Sequence, residues 1–221
     1  MVINAAHQRD ILNNSGLEML ALCKSQVKKS IEAFLNHDSD LAEEVIHTET
    51  RVNAFDLKIE KDCEKFLALY NPVAIDLRFI MAILKINFDL ERIADHAYNI
   101  SKYTVDLDEK IASKLLESLD FKTMYETTFD MLEDVYNAFE SKDVKVARKV
   151  FKKDKILDKI NSNSFAIIKD EIKKDSNQIG EALILFSIIK KMERVGDLTK
   201  NIAEEIIFYI DAEVVKHKKK K

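Results

Sequence analysis

The chain has 221 residues with only 3 Gly, 1 Pro and no Trp, which leaves too few turn-formers for a sheet protein with many tight turns. Apolar residues make up 47%, enough for a sizeable core, and charged residues at 33% are enough to coat long helices. The net charge is −4 although the chain ends in Lys216-His217-Lys218-Lys219-Lys220-Lys221, so the body is more acidic still and a poor nucleic-acid binder. That tail reads as a disordered end with at most a weak peripheral contact to an anionic membrane.

Helix one is expected from about Ile3 to Asn36, because Leu17, Leu20, Cys23, Val27, Ile31 and Phe34 recur at three- and four-residue spacing. His37-Asp38-Ser39-Asp40 supplies N-caps for a second helix reaching Tyr70. Asn71-Pro72 follows, with Asn71 as a cap and Pro72 in the first turn of helix three. Helix three frays near Thr104. Asp106 and Asp108 mark the start of a fourth helix that continues to Ser141. A fifth helix begins after Asp143, a turn falls at Ser176-Asn177, and a sixth helix runs to about Ala212.

Helix three carries Leu90-Glu-Arg-Ile-Ala-Asp-His-Ala-Tyr-Asn-Ile-Ser101, and helix six repeats it as Met192-Glu-Arg-Val-Gly-Asp-Leu-Thr-Lys-Asn-Ile-Ala-Glu204. Glu193, Arg194, Asp197, Asn201 and Ile202 superpose on Glu91, Arg92, Asp95, Asn99 and Ile100. The stretch Ala33–Asn53 recurs as Ala138–Asp158, with Ala33, Phe34, Asp38, Ala42 and Val45 matching Ala138, Phe139, Asp143, Ala147 and Val150. The fold class that follows is all-α, two homologous antiparallel three-helix bundles. The units are residues 1–105 and 106–215, with the tail 216–221 apart. Helices of ~30 residues span about 45 Å at 1.5 Å per residue. Short connections force them antiparallel.

In both copies Glu, Asp and Asn stand at i, i+4 and i+8, one above another on a helix. The apolar stripe Ile83, Ile86, Leu90, Ile93, Ala97, Ile100 and its counterpart Leu185, Ile188, Met192, Val195, Thr199, Ile202 face the core. Glu91 and Asp95 therefore border the core without entering it. Ala94 and Gly196 are small enough to let a neighbouring helix approach the acidic rows. Helix two offers Glu49 and Asn53, and helix five offers Asp154 and Asp158 at the equivalent places. Packed together, the pairs form clusters of oxygen ligands suited to Mg²⁺, Mn²⁺, Ca²⁺ or iron rather than to a structural zinc site. The second cluster, Asp154, Asp158, Glu193 and Asp197, has four carboxylates. The first, Glu49, Asn53, Glu91 and Asp95, has three and an amide, so weaker retention is expected there.

Other chemistries find little support. A di-iron carboxylate enzyme needs two Glu-x-x-His motifs, and only Glu44–His47 has that spacing. There is no GxxxxGK phosphate loop and no spacing suited to a nucleophilic triad, so no enzyme is expected. Cys23 and Cys63 form no CxxC and read as buried small hydrophobes. No signal pattern or spanning segment is evident, so the chain is expected in the cytoplasm.

The run Asn53–Ile100, with its VN step, NPVAxDLR turn and ERIxDxAxNI helix, resembles the PhoU family of phosphate-signalling regulators. The resemblance covers nearly all of the chain short of the lysine tail. It implies a cytoplasmic regulator acting on a Pst-type phosphate ABC transporter and a PhoR-type histidine kinase, self-associating as a homodimer or larger. It also implies multinuclear metal sites through E/DxxxD motifs, which map onto Glu49, Asn53, Glu91, Asp95, Asp154, Asp158, Glu193 and Asp197. The metal is expected to be iron, manganese, magnesium or zinc. The rival reading is a metal-independent helical adaptor whose acidic rows dock basic partner segments. Two departures make the copies unequal: Leu198 stands where the first copy has His96, and Lys191 where it has Asp89.

Overall fold

The computed structural model describes residues 5–215, and among them every regular element is helical. Three long helices form the first unit: α1 (Ala5–Asn36), α2 (Ser39–Tyr70) and α3 (Ala74–Val105). The second unit holds α4 (Ser113–Ser118), α5 (Phe121–Ser141), α6 (Val144–Ala147), α7 (Val150–Lys174) and α8 (Ile179–Asp211), with a 3₁₀ turn at Ser176–Gln178 before α8. Helices α1, α2 and α3 pack mutually, as do α5, α7 and α8, so the repeat in sequence is a repeat of helical bundles. The expected start of helix one at Ile3 and the lysine tail lie outside the described residues.

Local signals account for most boundaries. Asp38 caps α2, its carboxylate accepting from the Leu41 N–H at 3.0 Å. Asp143 does the same for α6 through the Lys145 N–H. Asn71 and Pro72 act differently from expectation. Asn71, at φ 44°, is the left-handed residue that closes α2, and α3 begins only at Ala74, with extended Val73 before it. Pro72 therefore sits ahead of the helix rather than in its first turn. Asn tolerates that left-handed conformation better than most residues, which decides the turn.

Two expected helices are interrupted. The fourth does not start at Asp106 or Asp108: Asp106 ends α3, and the chain stays irregular to Ala112 with Leu107 and Ile111 buried. A bend at Asp120, φ 49°, then divides α4 from α5, with Leu119 and Phe121 buried on either side. Burying these apolar anchors outweighs local helix propensity, which spans only ~1 kcal/mol per residue. The fifth helix carries a milder fault. Arg148 and Lys149 keep helical dihedrals, but the Lys149 and Lys152 N–H groups donate to carbonyls three residues back, separating α6 from α7 without turning the chain.

The two units meet along α3 against α8 and α1 against α5. Both pairs are antiparallel. Phe79 near the start of α3 meets Tyr209 near the end of α8, with ring centroids 5.6 Å apart, and the Lys85 ammonium reaches the Glu205 carboxylate at 3.1 Å. On the other pair, Phe34 meets Phe121 edge-on and Lys24 pairs with Glu133 at 2.6 Å. Equivalent helices thus face one another, giving the molecule an internal pseudo-two-fold relation. One apolar cluster runs through both units, from Leu12 and Phe34 to Met192 and Tyr209.

Candidate metal centre

Each acidic row lies where the stripe pattern places it. Leu90, Ile93 and Ala97 are buried, whereas Glu91 and Asp95 are half-buried at the edge of α3. Glu193 and Asp197 repeat this beside buried Met192 and Val195 on α8. The small residue matters in the second unit. A Cβ on Gly196 would lie 2.4 Å from Leu157 Cδ1, so the missing side chain is what lets α7 close on α8.

In the first unit, α2 brings Glu49 within electrostatic reach of Asp95 and Glu91. Asn53 is exposed at the rim and donates to Glu49. Sequence reasoning overlooked Asp56. Its carboxylate accepts from the buried Asn87 amide at 2.6 Å, a bond tying α2 to α3, and its charge acts on Glu91. The overlooked signal is that Glu49, Asn53 and Asp56 stand at i, i+4 and i+7, on one helix face. Burial, and then the Asp95 charge, push the Glu49 and Glu91 carboxyls above the ordinary carboxylate range. Burial, and then Glu60, do so for Asp56. Among the described residues no ion pair closes on Glu49, Asp56, Glu91 or Asp95.

The second unit is arranged otherwise. Asp154, Asp158 and Asp197 each turn a carboxylate oxygen to within 4.8 Å of the others. Glu193 adjoins them, feels Asp197 and Asp158, and bonds Asn161, the residue equivalent to Asp56. Counting Asp56 and Asn161, each unit carries four carboxylates and one amide, yet among the described residues it is Asp154, Asp158 and Asp197 that bring three carboxylate oxygens within 4.8 Å of one another. A second contrast lies in the counter-charge. Lys200 on α8 donates to Asp154 at 2.6 Å and to Asp197 at 3.4 Å. Its ammonium stands among the carboxylates, where the first unit has Tyr98. Burial works against the Lys200 charge, but the two aspartates raise its pKa above the usual lysine value. Asp154 is buried, and that burial lifts its carboxyl upward while the lysine pulls the other way.

Among the described residues both cysteines are free and buried. Burial pushes both thiols up, Cys63 to about 12, and the Cys23 Sγ donates to the Leu90 carbonyl. His47 is exposed on α2, as expected of a rim residue. His96 is half-buried at the α3–α8 seam; burial, then Lys191, Arg92 and Arg194, hold its pKa down to about 4. No helix among the described residues is long and apolar enough to cross a membrane.

Comparison with known proteins places this arrangement in context. The profile of the PhoU domain matches twice, at residues 17–104 and 121–206. The phosphate-specific transport system accessory protein PhoU homolog 1 of Thermotoga maritima is 30% identical over 211 residues, covering 94% of this chain and 90% of its own. PhoU of Escherichia coli strain K12 is 31% identical over 201 residues, covering 91% of this chain and 83% of its own. The crystal structure of PhoU from Pseudomonas aeruginosa superposes with a TM-score of 0.89 at 25% identity, over 95% of this chain and all of that one. The phosphate transport system regulatory protein PhoU from Streptococcus pneumoniae superposes at 0.83 with 28% identity, over 96% of this chain. A duplicated helical bundle, acidic rows on the third helix of each copy and likeness running through both halves all lead to one conclusion: the chain belongs to the PhoU family.

Proposed function

We propose that this protein is an accessory regulator of a phosphate-specific transport system, restraining a Pst-type ABC importer and a PhoR-type sensor kinase while phosphate is plentiful. The observation that carries this reading is the match of both bundles, across nearly the whole chain, to proteins named for that system. The protein acts from the cytoplasmic face, where it meets the transporter and kinase, and it acts as a homodimer or larger homo-oligomer. Its role is binding rather than catalysis, in keeping with buried, protonated thiols and a site made of carboxylates. Deleting the gene in its host should raise a phosphate-starvation reporter in phosphate-rich medium, and the intact gene should restore repression. An unchanged reporter in a host with both transporter and kinase overturns the reading.

The donor sets fit a hard cation: the second unit brings three carboxylate oxygens within 4.8 Å of one another, whereas the first is the one whose carboxylates hold no ammonium among them. Glu49, Asn53, Asp56, Glu91 and Asp95 offer oxygen, and among the described residues no ion pair closes on these carboxylates, although Arg92 acts on Glu91 and Lys102 on Glu49 at longer range. There Mg²⁺, Mn²⁺ or iron would neutralise the cluster and tie α2 to α3. In the second unit the Lys200 ammonium already does part of this for α7 and α8. That ion pair favours the metal-independent reading for the second cluster, which can stay closed without a metal. Metal per chain after gel filtration in Mn²⁺ should fall further in Glu91→Ala/Asp95→Ala than in Glu193→Ala/Asp197→Ala. The opposite order, or no metal in the parent protein, overturns the assignment.

A further inference from the structure

The two departures between the repeats, His96 against Leu198 and Lys191 against Asp89, lie far apart in sequence. The antiparallel pairing of α3 with α8 brings His96 and Lys191 into one depression. It has a volume of about 260 Å³ and is lined by His96 and Tyr103 from α3 and by Ser187, Lys190, Lys191 and Arg194 from α8. The pseudo-two-fold relation supplies an internal control. Exchanging each lining residue for its counterpart gives Leu198, Glu205, Lys85, Phe88, Asp89 and Arg92. On that side cations and carboxylates balance, and Lys85 bonds the buried Glu205 directly. On the first side three cations line the depression and no carboxylate does. Arg194 is shared with Glu193 and Asp197 at its edge. Lys190 and Lys191 make no ion pair among the described residues. Their ammonium groups lie over the Phe186 and Tyr103 rings, at 5.0 and 5.7 Å from the centroids.

We propose that this depression between the two units is a binding site for a small phosphate-type oxyanion, inorganic phosphate or pyrophosphate. Two unpaired ammonium groups supply the charge that holds such an anion, as lysines do at phosphate sites. The Ser187 hydroxyl at the wall donates to the Leu183 carbonyl and can rotate that one proton toward a bound anion instead. The His96 Nδ1 is buried without a hydrogen-bond partner, which is costly unless a ligand or water meets it. An oxyanion still carrying a proton satisfies that nitrogen in either tautomer, donating to it or accepting from it. The residues come from α3 of one unit and α8 of the other, so a bound anion ties the two bundles together. The inference does not depend on the cation reading, because no residue of the depression is one of the proposed metal ligands.

The test is calorimetric titration of the full chain with inorganic phosphate and with pyrophosphate, in excess chelator and at ionic strength held constant with chloride. Saturable one-to-one binding of at least one anion is expected. It should weaken about tenfold or more for each lysine removed in Lys190→Gln and Lys191→Gln, the loss typical of a hydrogen bond to a charged group. His96→Leu, which installs the side chain of the second copy, should fold and bind several-fold more weakly. Lys58→Gln/Lys61→Gln, which removes the same charge from α2, should leave binding unchanged. No binding at millimolar anion overturns the proposal, as does equal binding by the lysine variants and the parent. Binding seen only when chelator is withheld also overturns it, since the anion would then sit on a metal at the acidic rows.

Discussion

At the scale of single residues, the clearest contrast between the units is Lys200. Its ammonium is the counter-charge of Asp154, which is 6% exposed and among the described residues makes no second ion pair. Removing one partner of a largely buried pair leaves an uncompensated charge, so Lys200→Met should cost about 2 kcal/mol in chelator, judged against the larger penalties of fully buried pairs. Added Mn²⁺ should recover part of that loss by mass action on the vacated carboxylates. Urea midpoints with and without Mn²⁺ check both statements, and a midpoint unchanged by the substitution removes the lysine from the account. His96 yields a prediction with a defined window. Its folded pKa of about 4 lies below the ordinary 6.5, so the neutral ring is favoured by folding. That contribution is present above pH 6.5 and is lost as pH falls toward 4. His96→Leu should therefore be less acid-sensitive, by about 1 kcal/mol at pH 5 relative to pH 7.5 after allowance for partial exposure. Parallel loss of stability in both proteins over that window counts against it.

At the scale of elements, the glycines show how close each helix pair must come. Gly196 faces Leu157 of α7 at a separation no Cβ can share, whereas Gly180, in the first turn of α8, has nothing within 4 Å of its would-be Cβ. Alanine is the better helix former at both places, by up to ~1 kcal/mol in a helix interior. At Gly196 overpacking outweighs that gain, and Gly196→Ala should cost about 1–3 kcal/mol. Gly180→Ala should gain about 0.5 kcal/mol. Thermal melts of the two variants should move in opposite directions; equal and upward shifts would show that α7 does not need the gap. The same closeness sets the distance between α7's aspartates and α8's acidic row, so Gly196→Ala should also disturb the second cluster while sparing the first.

At the scale of the molecule, the two units are separate repeats but not separate cores. Phe79, Phe139 and Tyr209 form a chain of edge contacts in which α3, α5 and α8 all take part. With Phe34 against Phe121, large aromatic surfaces are buried between the units, each fully buried side chain being worth ~2 kcal/mol. The molecule should consequently unfold in one calorimetric transition, with the calorimetric enthalpy matching the van't Hoff value. Two resolved transitions would show that each bundle is stable alone. The arrangement also gives a regulator built from two inequivalent clusters a physical means of coupling them, since α3 and α8 carry the acidic rows and form the seam.

Much was legible before any coordinates. The three- and four-residue apolar spacing specifies helices, the duplicated Glu-Arg motif specifies a repeat, and one residue's offset from a buried stripe puts Glu91, Asp95, Glu193 and Asp197 at the edge of the core. These are local properties, fixed by 3.6 residues per turn. The interruptions at residues 106–120 and at Arg148-Lys149 were not legible, because they depend on which apolar anchors find a place between distant helices. Asp56 shares the i, i+4, i+7 face of Glu49 and Asn53, a signal the sequence carries, but the Asn87 amide that holds it there comes from another helix. Lys200 was invisible as a counter-charge because Asp154 is remote in sequence and meets it only when α7 closes over Gly196. The sequence by itself determined an all-α duplicated chain with acidic rows at its core's edge. The tertiary structure alone decided which charges those rows face across the helix seams, because a pair such as Lys200–Asp154 is set by the distance between α7 and α8, whereas pairs such as Arg194–Asp197 follow from i,i+3 spacing within one helix.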